Sequence, residues 1–302
     1  LSRNQSNGIG YFGFGTYATL NMLVNIGNNR YRLIDFWTGT YRAATGSGAL
    51  NTLPISVAPY AVKFEKRLPV KIMFLALFFA TIQYMFMLGT RTQFAILLLI
   101  VILAALQFAY SEHGIAGILK CLGIMVVISL IAFLFYHFNV LSIRDYILST
   151  NLAARYERRA SLENSDSFRF QSFWIGLREL IQYPMGGRAS QIYRHNMWLD
   201  VGRVSGIIPF CLLLIYSIKN FANVTVIWKN PKILPSLRYL LLFLYIGAYV
   251  NCFVEPIWEG ALNFFLALCV VDGMVSAMMR RLENDPNSEE SVPDASNLHA
   301  DL

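Results

Sequence analysis

Long apolar runs set the plan of this chain. Residues 70–88, 93–110, 115–138, 239–254 and 261–279 are nearly unbroken stretches of Leu, Ile, Val, Phe, Ala and Met. A helix needs roughly 20 such residues to cross a ~30 Å hydrocarbon core. Residues 196–218 add a span that follows a polar junction. Residues 43–62 read as a marginal span, with small residues at Gly46, Ser47, Gly48 and Ala49 and with Pro54 and Pro59 inside it. Small residues let helices approach closely in lipid, and the prolines shorten or kink the helix. The glycine-rich start leaves room for a partial span within residues 11–26. None of the runs alternates with period two, which excludes the ten-residue strands of a membrane β-barrel. The expected fold is all-α, a polytopic bundle of transmembrane helices.

Composition agrees. The chain is 56% hydrophobic and 14% charged, where an ordinary soluble domain carries about 25% charged residues. It opens at Leu1 without a basic stretch leading into an apolar one, so no signal peptide is expected, and the sequence reads as the C-terminal part of a longer chain. Cys121, Cys211, Cys252 and Cys269 fall inside apolar runs and read as packing residues, not as a disulfide framework.

The net charge of +7 follows the positive-inside bias of membrane proteins and does not point to nucleic acid. Alternating the spans places residues 63–71, 111–120 and 219–238 and the pair Arg280-Arg281 on one side. These segments hold all seven lysines, which marks that side as cytoplasmic. The other side receives Arg91, the long polar segment 139–194 and the EPIWEG turn at 255–260. The chain therefore divides into a polar start (1–42), spans (43–138), an outer loop (139–194), further spans (195–279) and a disordered cytoplasmic tail (280–302).

The outer loop carries Arg144, Arg155, Arg158, Arg159, Arg169, Arg178, Arg188 and Arg194 and no lysine. A guanidinium grips phosphate oxygens in pairs and keeps its charge when partly desolvated, so this set suits a pyrophosphate or anionic-glycan ligand. The plainer explanation is topology, with lysines kept inside and the arginines paired to Glu157, Glu163, Asp166 and Glu179. It accounts less well for Arg91, an ionisable residue in a four-residue turn between two strong spans. His195 follows Arg194 and precedes Asn196 at the junction with a span. A lone histidine is more often structural, yet its ordinary pKa of about 6.5 suits general-base work. Asp200 and Arg203, three apart, share a helix face, and Asp200 or a backbone carbonyl is placed to set the His195 tautomer. No Cys/His spacing suits zinc, no Asp-x-Asp pair lies on the outer side, and no Gly-x-Ser-x-Gly elbow occurs. Neither a metal nor a cofactor is expected.

These pieces, in this order, resemble the C-terminal half of the O-antigen polymerase and O-antigen ligase superfamily. Leu88-Gly89-Thr90-Arg91 matches a small-polar-Arg turn opening a span. Arg169 followed by Phe170, Phe173 and Trp174, and then Tyr183-Pro184-Met185-Gly186-Gly187, match an arginine in an amphipathic segment followed by Pro-x-Gly. His195-Asn196, nine residues and then Gly206 match the last motif.

The resemblance implies a GT-C-type bundle in the bacterial inner membrane. Its periplasmic loop would form short amphipathic helices, and its active site would face the periplasm. It implies an undecaprenyl-diphosphate-linked glycan as substrate, with a chain-length regulator protein as a candidate partner. His195, Arg91 and Arg169 would be catalytic, and Arg178, Arg188, Arg194, Asn196 and Asp200 would bind substrate. Pro209 stands where ligases commonly have a small residue, and the segment before His195 is short. Both features favour polymerase over ligase. The reading from another class is a transporter of lipid-linked oligosaccharides or solutes.

Overall fold

The computed structural model describes residues 6–28, 32–154, 165–190 and 192–284, with side chains for all of these except residues 6–12, 14, 165–169 and 283. Helix α1 (Ser6–Val24) leads to a hairpin of β1 (Leu33–Ile34) and β2 (Tyr41–Arg42). There follow α2 (Ala44–Phe64), α3 (Leu68–Leu88), α4 (Arg91–His137), a 3-10 turn (Val140–Ser142), α5 (Ile143–Ser149) and α6 (Ser165–Gln182). The chain continues with α7 (Met197–Ser205), α8 (Ile207–Lys229), α9 (Pro235–Val254), the single turn α10 (Ile257–Gly260) and α11 (Leu262–Glu283). The described chain is thus nearly all α, and α3, α4, α8, α9 and α11 are long and apolar enough to cross a membrane.

Helix α2 is the axis of the bundle. It packs against α1, α3, α4 and α9, and fifteen of its 21 residues are buried. Its Ala49, Leu53 and Val57 meet Ala248 and Cys252 of α9 and Phe264 and Leu268 of α11 in the main core. Small residues allow this crowding. A Cβ on Gly247 of α9 would collide with Ser56 Oγ, and one on Gly48 would lie 2.9 Å from Thr90 Cγ2. Pro54 and Pro59 are accommodated inside the helix.

Helix α3 begins with a proline in its first turn and stops at Gly89, whose left-handed φ of 61° turns the chain. Helix α4 has 47 residues, about 70 Å if straight and more than twice the span needed. It is not straight. Gly114 leaves helical geometry (φ 58°, ψ −142°), and Gly117 abuts the Ala109 carbonyl, eight residues back. The chain reverses there, as the sequence expectation of two spans required. At this reversal Glu112 meets Lys63 at 2.5 Å, which defines a lysine end of the bundle. The returning arm reaches the opposite, loop end, where Tyr146 bonds Gln83 and Asn151 Nδ2 donates to the Met87 carbonyl at 2.6 Å.

The expected span 196–218 needs correction. Gly206 (φ 96°) divides it into α7 and α8. Helix α7 folds back along α8, so that Trp198 Nε1 donates to Ser217 Oγ at 3.0 Å. The polar segment 139–194 contains α5 and α6. Residues 155–164, with Arg155, Arg158 and Arg159, and the expected tail beyond residue 284 lie outside the described residues.

Candidate functional site

The last turn of α9 and the EPIWEG turn after it form the hub of the loop end. Pro256 carries no N–H to continue the helix, and Glu255 ends it. The first turn of α4 is tied to this hub: Thr92 Oγ1 donates to the buried Glu255 carboxylate, and Gln93 Nε2 donates to Asn251 Oδ1 at 3.3 Å. Asn251 Nδ2 reaches on to the Ala49 carbonyl of α2 at 3.5 Å. Arg91 therefore sits beside the end of α9, half-buried. A cation at a helix N-terminus opposes the macrodipole by roughly 0.3–1 kcal/mol. Its place there is not explained by the stability of α4.

His195 arrives at the same level from the other direction. Helix α6 runs beside α7, with Gly176 against Leu199 and Arg194, and Leu180 against Gly202. The segment between these helices is locked to the end of α7 by backbone bonds. Gly187 N–H donates to Val204 O (2.9 Å), Arg188 N–H to Arg203 O (3.1 Å) and Ile207 N–H to Pro184 O (2.8 Å). Gly186 and Gly206 both have positive φ, and a Cβ on Gly186 would lie 2.5 Å from Gly206 N. The Pro-x-Gly-Gly motif and the second glycine of the histidine motif are thus one backbone crossing. The nine residues between Asn196 and Gly206 are the nine residues of α7.

Asn196 is the N-cap of that helix. Its Oδ1 accepts from Leu199 N–H at 3.1 Å, and its Nδ2 donates to the Phe253 carbonyl of α9 at 3.2 Å. Because α7 doubles back along α8, His195 is set back from the break at Gly206 and directly precedes Asn196 at the last turn of α9. His195 takes a left-handed φ of 56°. Such strain in a non-glycine residue clusters at functional sites. Its half-buried ring packs edge-on against Tyr193, centroids 4.7 Å apart.

The neighbours of His195 are held firmly. Arg194 is buried and forks onto Glu179 of α6 (2.7 and 3.1 Å). Its N–H donates to Asp200 Oδ1 at 2.5 Å. Burial pushes the Asp200 carboxyl up, against the pull of the Arg194 N–H and the Arg203 charge. Arg203 lies 3.8 Å from Asp200 and pairs with Glu259. It also donates to the carbonyls of Arg188 (2.5 Å) and Ala189 (3.1 Å). Arg194, Asn196 and Asp200 accordingly hold the loop.

Of the other expected arginines, Arg178 is exposed on α6, and Arg188 stacks over the Tyr183 ring at 4.3 Å. Arg169 belongs to α6, one turn before Phe173, and its side chain lies outside the described set. Phe173 meets Phe253 at 5.9 Å between centroids. The structure thus brings Arg91, His195 and α6 to one place, the last turn of α9. Sequence reasoning missed the roles of Gln93 and Asn251. Their signal was an amide inside an apolar run, which in a membrane helix marks a buried polar contact. Above the hub, Arg42, Gly46, Glu259, Gly260 and Asn263 line a cleft of about 220 Å³. Among the described residues no cluster of His, Cys, Asp or Glu suits a metal ion.

No protein-family model, no curated protein and no solved structure matches the chain.

Proposed function

We propose that this chain carries the catalytic part of a membrane glycosyltransferase of the O-antigen polymerase kind. It would join glycan repeat units carried on undecaprenyl diphosphate at the periplasmic face of the bacterial inner membrane. The observation that carries the reading is that Arg91 and His195 both flank residues anchored at the end of α9. They come from motifs about a hundred residues apart in the sequence, and both are fixed to the last turn of α9, one through Thr92 and Glu255 and the other through Asn196 and Phe253. The loop end is then periplasmic and the lysine end cytoplasmic.

In the reaction, an acceptor sugar hydroxyl attacks the anomeric carbon of the donor from the face opposite the diphosphate. The new C–O bond forms as the bond to the diphosphate oxygen breaks, with inversion. His195 takes the hydroxyl proton as general base. Arg91 stabilises the charge growing on the leaving diphosphate, with Arg169 and Arg188 as further donors. Asn196 and Asp200 act through His195: one caps the helix behind it, and the other fixes the N–H of the residue before it. Arg194 is assigned to Glu179 and not to phosphate.

A second reading, transport, draws on one observation. Asp272 is buried midway along α11 and accepts from Tyr245 Oη, and an ionisable residue inside a span is a functional candidate.

One assay separates these. In a strain lacking the gene, lipopolysaccharide banding is read after complementation. Polymerase predicts a single repeat on core without the gene and a restored ladder with it. Bare core, with polymer left on the carrier, means ligase. His195→Ala should cut turnover by about 10²–10⁴-fold, the usual worth of a general base. Arg91→Ala should abolish the ladder and Arg91→Lys restore it in part, with membrane insertion unchanged. A normal ladder in His195→Ala removes the transferase mechanism. Loss of function in Asp272→Asn alone favours transport.

A further inference from the structure

Helix α6 has three faces where an ordinary surface helix has two. At about 100° per residue, Phe170, Trp174 and Ile181 fall within roughly 40° of one another. They are 67%, 54% and 78% exposed. Exposed Arg178, Gln171 and Gln182 fill the adjoining sector, interrupted at its far edge by Ile175. The remaining face, with Ser172, Gly176, Glu179 and Leu180, is buried against α7 and the Arg194 backbone.

The apolar edge is continuous with a face that already has the character of a lipid contact. Ile181 leads to the exposed Met185, and the Pro184 carbonyl is bonded to Ile207, the first residue of α8. Ile208, Leu212 and Ile215 then carry the exposed apolar surface down α8, one of the helices apolar enough to cross a membrane.

We propose that α6 is a lipid–water boundary helix. Phe170, Trp174 and Ile181 contact the acyl chains or glycerol region of the bilayer as an extension of the outer face of α8, while Gln171, Arg178 and Gln182 face water. Helix α6 then walls the His195 recess off from lipid, and Glu179 on its inner face grips Arg194 beside the histidine. On α6 alone the edge is too small for a stable protein partner: two aromatic rings and an isoleucine offer on the order of 500 Å², where a standard interface needs about 800 Å² on each side, and its continuation lies on α8, a helix apolar enough to cross a membrane. An aromatic edge beside an arginine is the pattern of a helix at a bilayer boundary.

Spin-label accessibility on the whole chain, in nanodiscs of phosphatidylethanolamine and phosphatidylglycerol, tests this directly. The four native cysteines are replaced by serine. Nitroxides are then placed singly through Phe170→Cys, Trp174→Cys and Ile181→Cys, and through Gln171→Cys, Arg178→Cys and Gln182→Cys. Collisions with oxygen, which concentrates in lipid, should exceed those with a water-soluble nickel chelate several-fold at the first three sites. The ratio should invert at the second three. Nickel access at all six sites overturns the proposal, because the apolar edge then lies in water. Exclusion of both reagents at the first three sites also overturns it, because a second copy or another protein then covers the edge. The readout needs no activity, so it stands or falls separately from the proposed reaction.

Discussion

Helix α2 and residues 115–137 of α4 are of similar length and have opposite surroundings. The most apolar 18-residue stretch among the spans lies in α4, with a mean hydropathy of 2.7 and none of that stretch buried; of the arm at residues 115–137 only Gly117 is buried. Helix α2 carries Asn51, Thr52, Ser56 and two prolines, is not among the five candidate spans, and has fifteen of its 21 residues buried. In a water-soluble protein the correlation runs the other way. A helix that faces lipid must be apolar all round. One that faces only other helices is free to be small and polar, because its neighbours supply both the packing and the hydrogen bonds. Asn51 Nδ2, for instance, donates to the Thr81 carbonyl of α3. Apolarity along such a chain reports contact with lipid, and burial has to be read from small residues.

The sharpest way to break this contrast is a charge in the middle of the α4 arm. Val126 is 68% exposed. If that surface lies in hydrocarbon, Val126→Lys should cost about 2.5–3.5 kcal/mol of insertion free energy, measured by glycosylation mapping of the inserted segment. A cost near zero would put the arm in water and end the comparison.

A pair of glycines tests the other half. Gly247 of α9 faces Ser56 of α2 with no room for a Cβ, whereas a Cβ on Gly123 of the arm would meet nothing within 4 Å. Gly247→Leu should incur an overpacking cost of about 3 kcal/mol, against roughly 1 kcal/mol gained by removing a helix glycine. The net loss should be near 2 kcal/mol in reversible unfolding from mixed micelles. Gly123→Leu keeps only the gain and should be neutral or slightly stabilising. Equal effects would mean that the arm is as tightly packed as α2.

The same contrast explains which parts of the molecule were legible in the sequence. Apart from α8, which runs eleven residues past its expected end, the spans that face lipid declared themselves to within a few residues, and so did the reversal at Gly114, because lipid contact imposes an unbroken apolar run. The central place of α2 was hidden because its Gly, Ser and Asn positions weaken the only signal that hydropathy offers. At the site, order and spacing placed Arg91 and His195 on one end of the bundle. The break at Gly206 did not show, since a single glycine in an apolar run is compatible with a continuous helix. The structural bonds of Asn196 and Arg194 did not show for a chemical reason: the donors that bind a ligand are the same donors that cap a helix or pair with Glu179. Asn196 directly before an apolar helix was a capping signal in its own right.

The smallest predicted effect concerns how the two regions are held at the loop end. The α4 arm is followed there by an exposed contact, Asn139 Nδ2 to Asp145 Oδ2 at 2.6 Å. Helix α2 is preceded by the hairpin, whose buried Asp35 accepts from Tyr17 Oη (2.6 Å) and from the N–H groups of Trp37 (3.0 Å) and Thr38 (2.9 Å). Asp35 also pairs with Arg42 at 2.6 Å, two residues before α2 begins. Burial alone would raise the Asp35 carboxyl. The hydrogen bonds from Tyr17 and Thr38 and the Arg42 charge outweigh it, and the group sits below its ordinary value. A carboxyl depressed in the folded state contributes stability above its unfolded value, near 3.9, and loses it as pH falls through the folded value. The unfolding midpoint of the native chain should therefore exceed that of Asp35→Asn at neutral pH, and the gap should close as pH drops below about 4. Asp145→Asn, at the exposed end of the arm, should shift the midpoint little at neutral pH. A gap for Asp35→Asn that does not shrink at all between neutral pH and pH 3 would mean that the hairpin grips α2 through packing alone. The loop ends of the two regions would then differ in burial and not in charge.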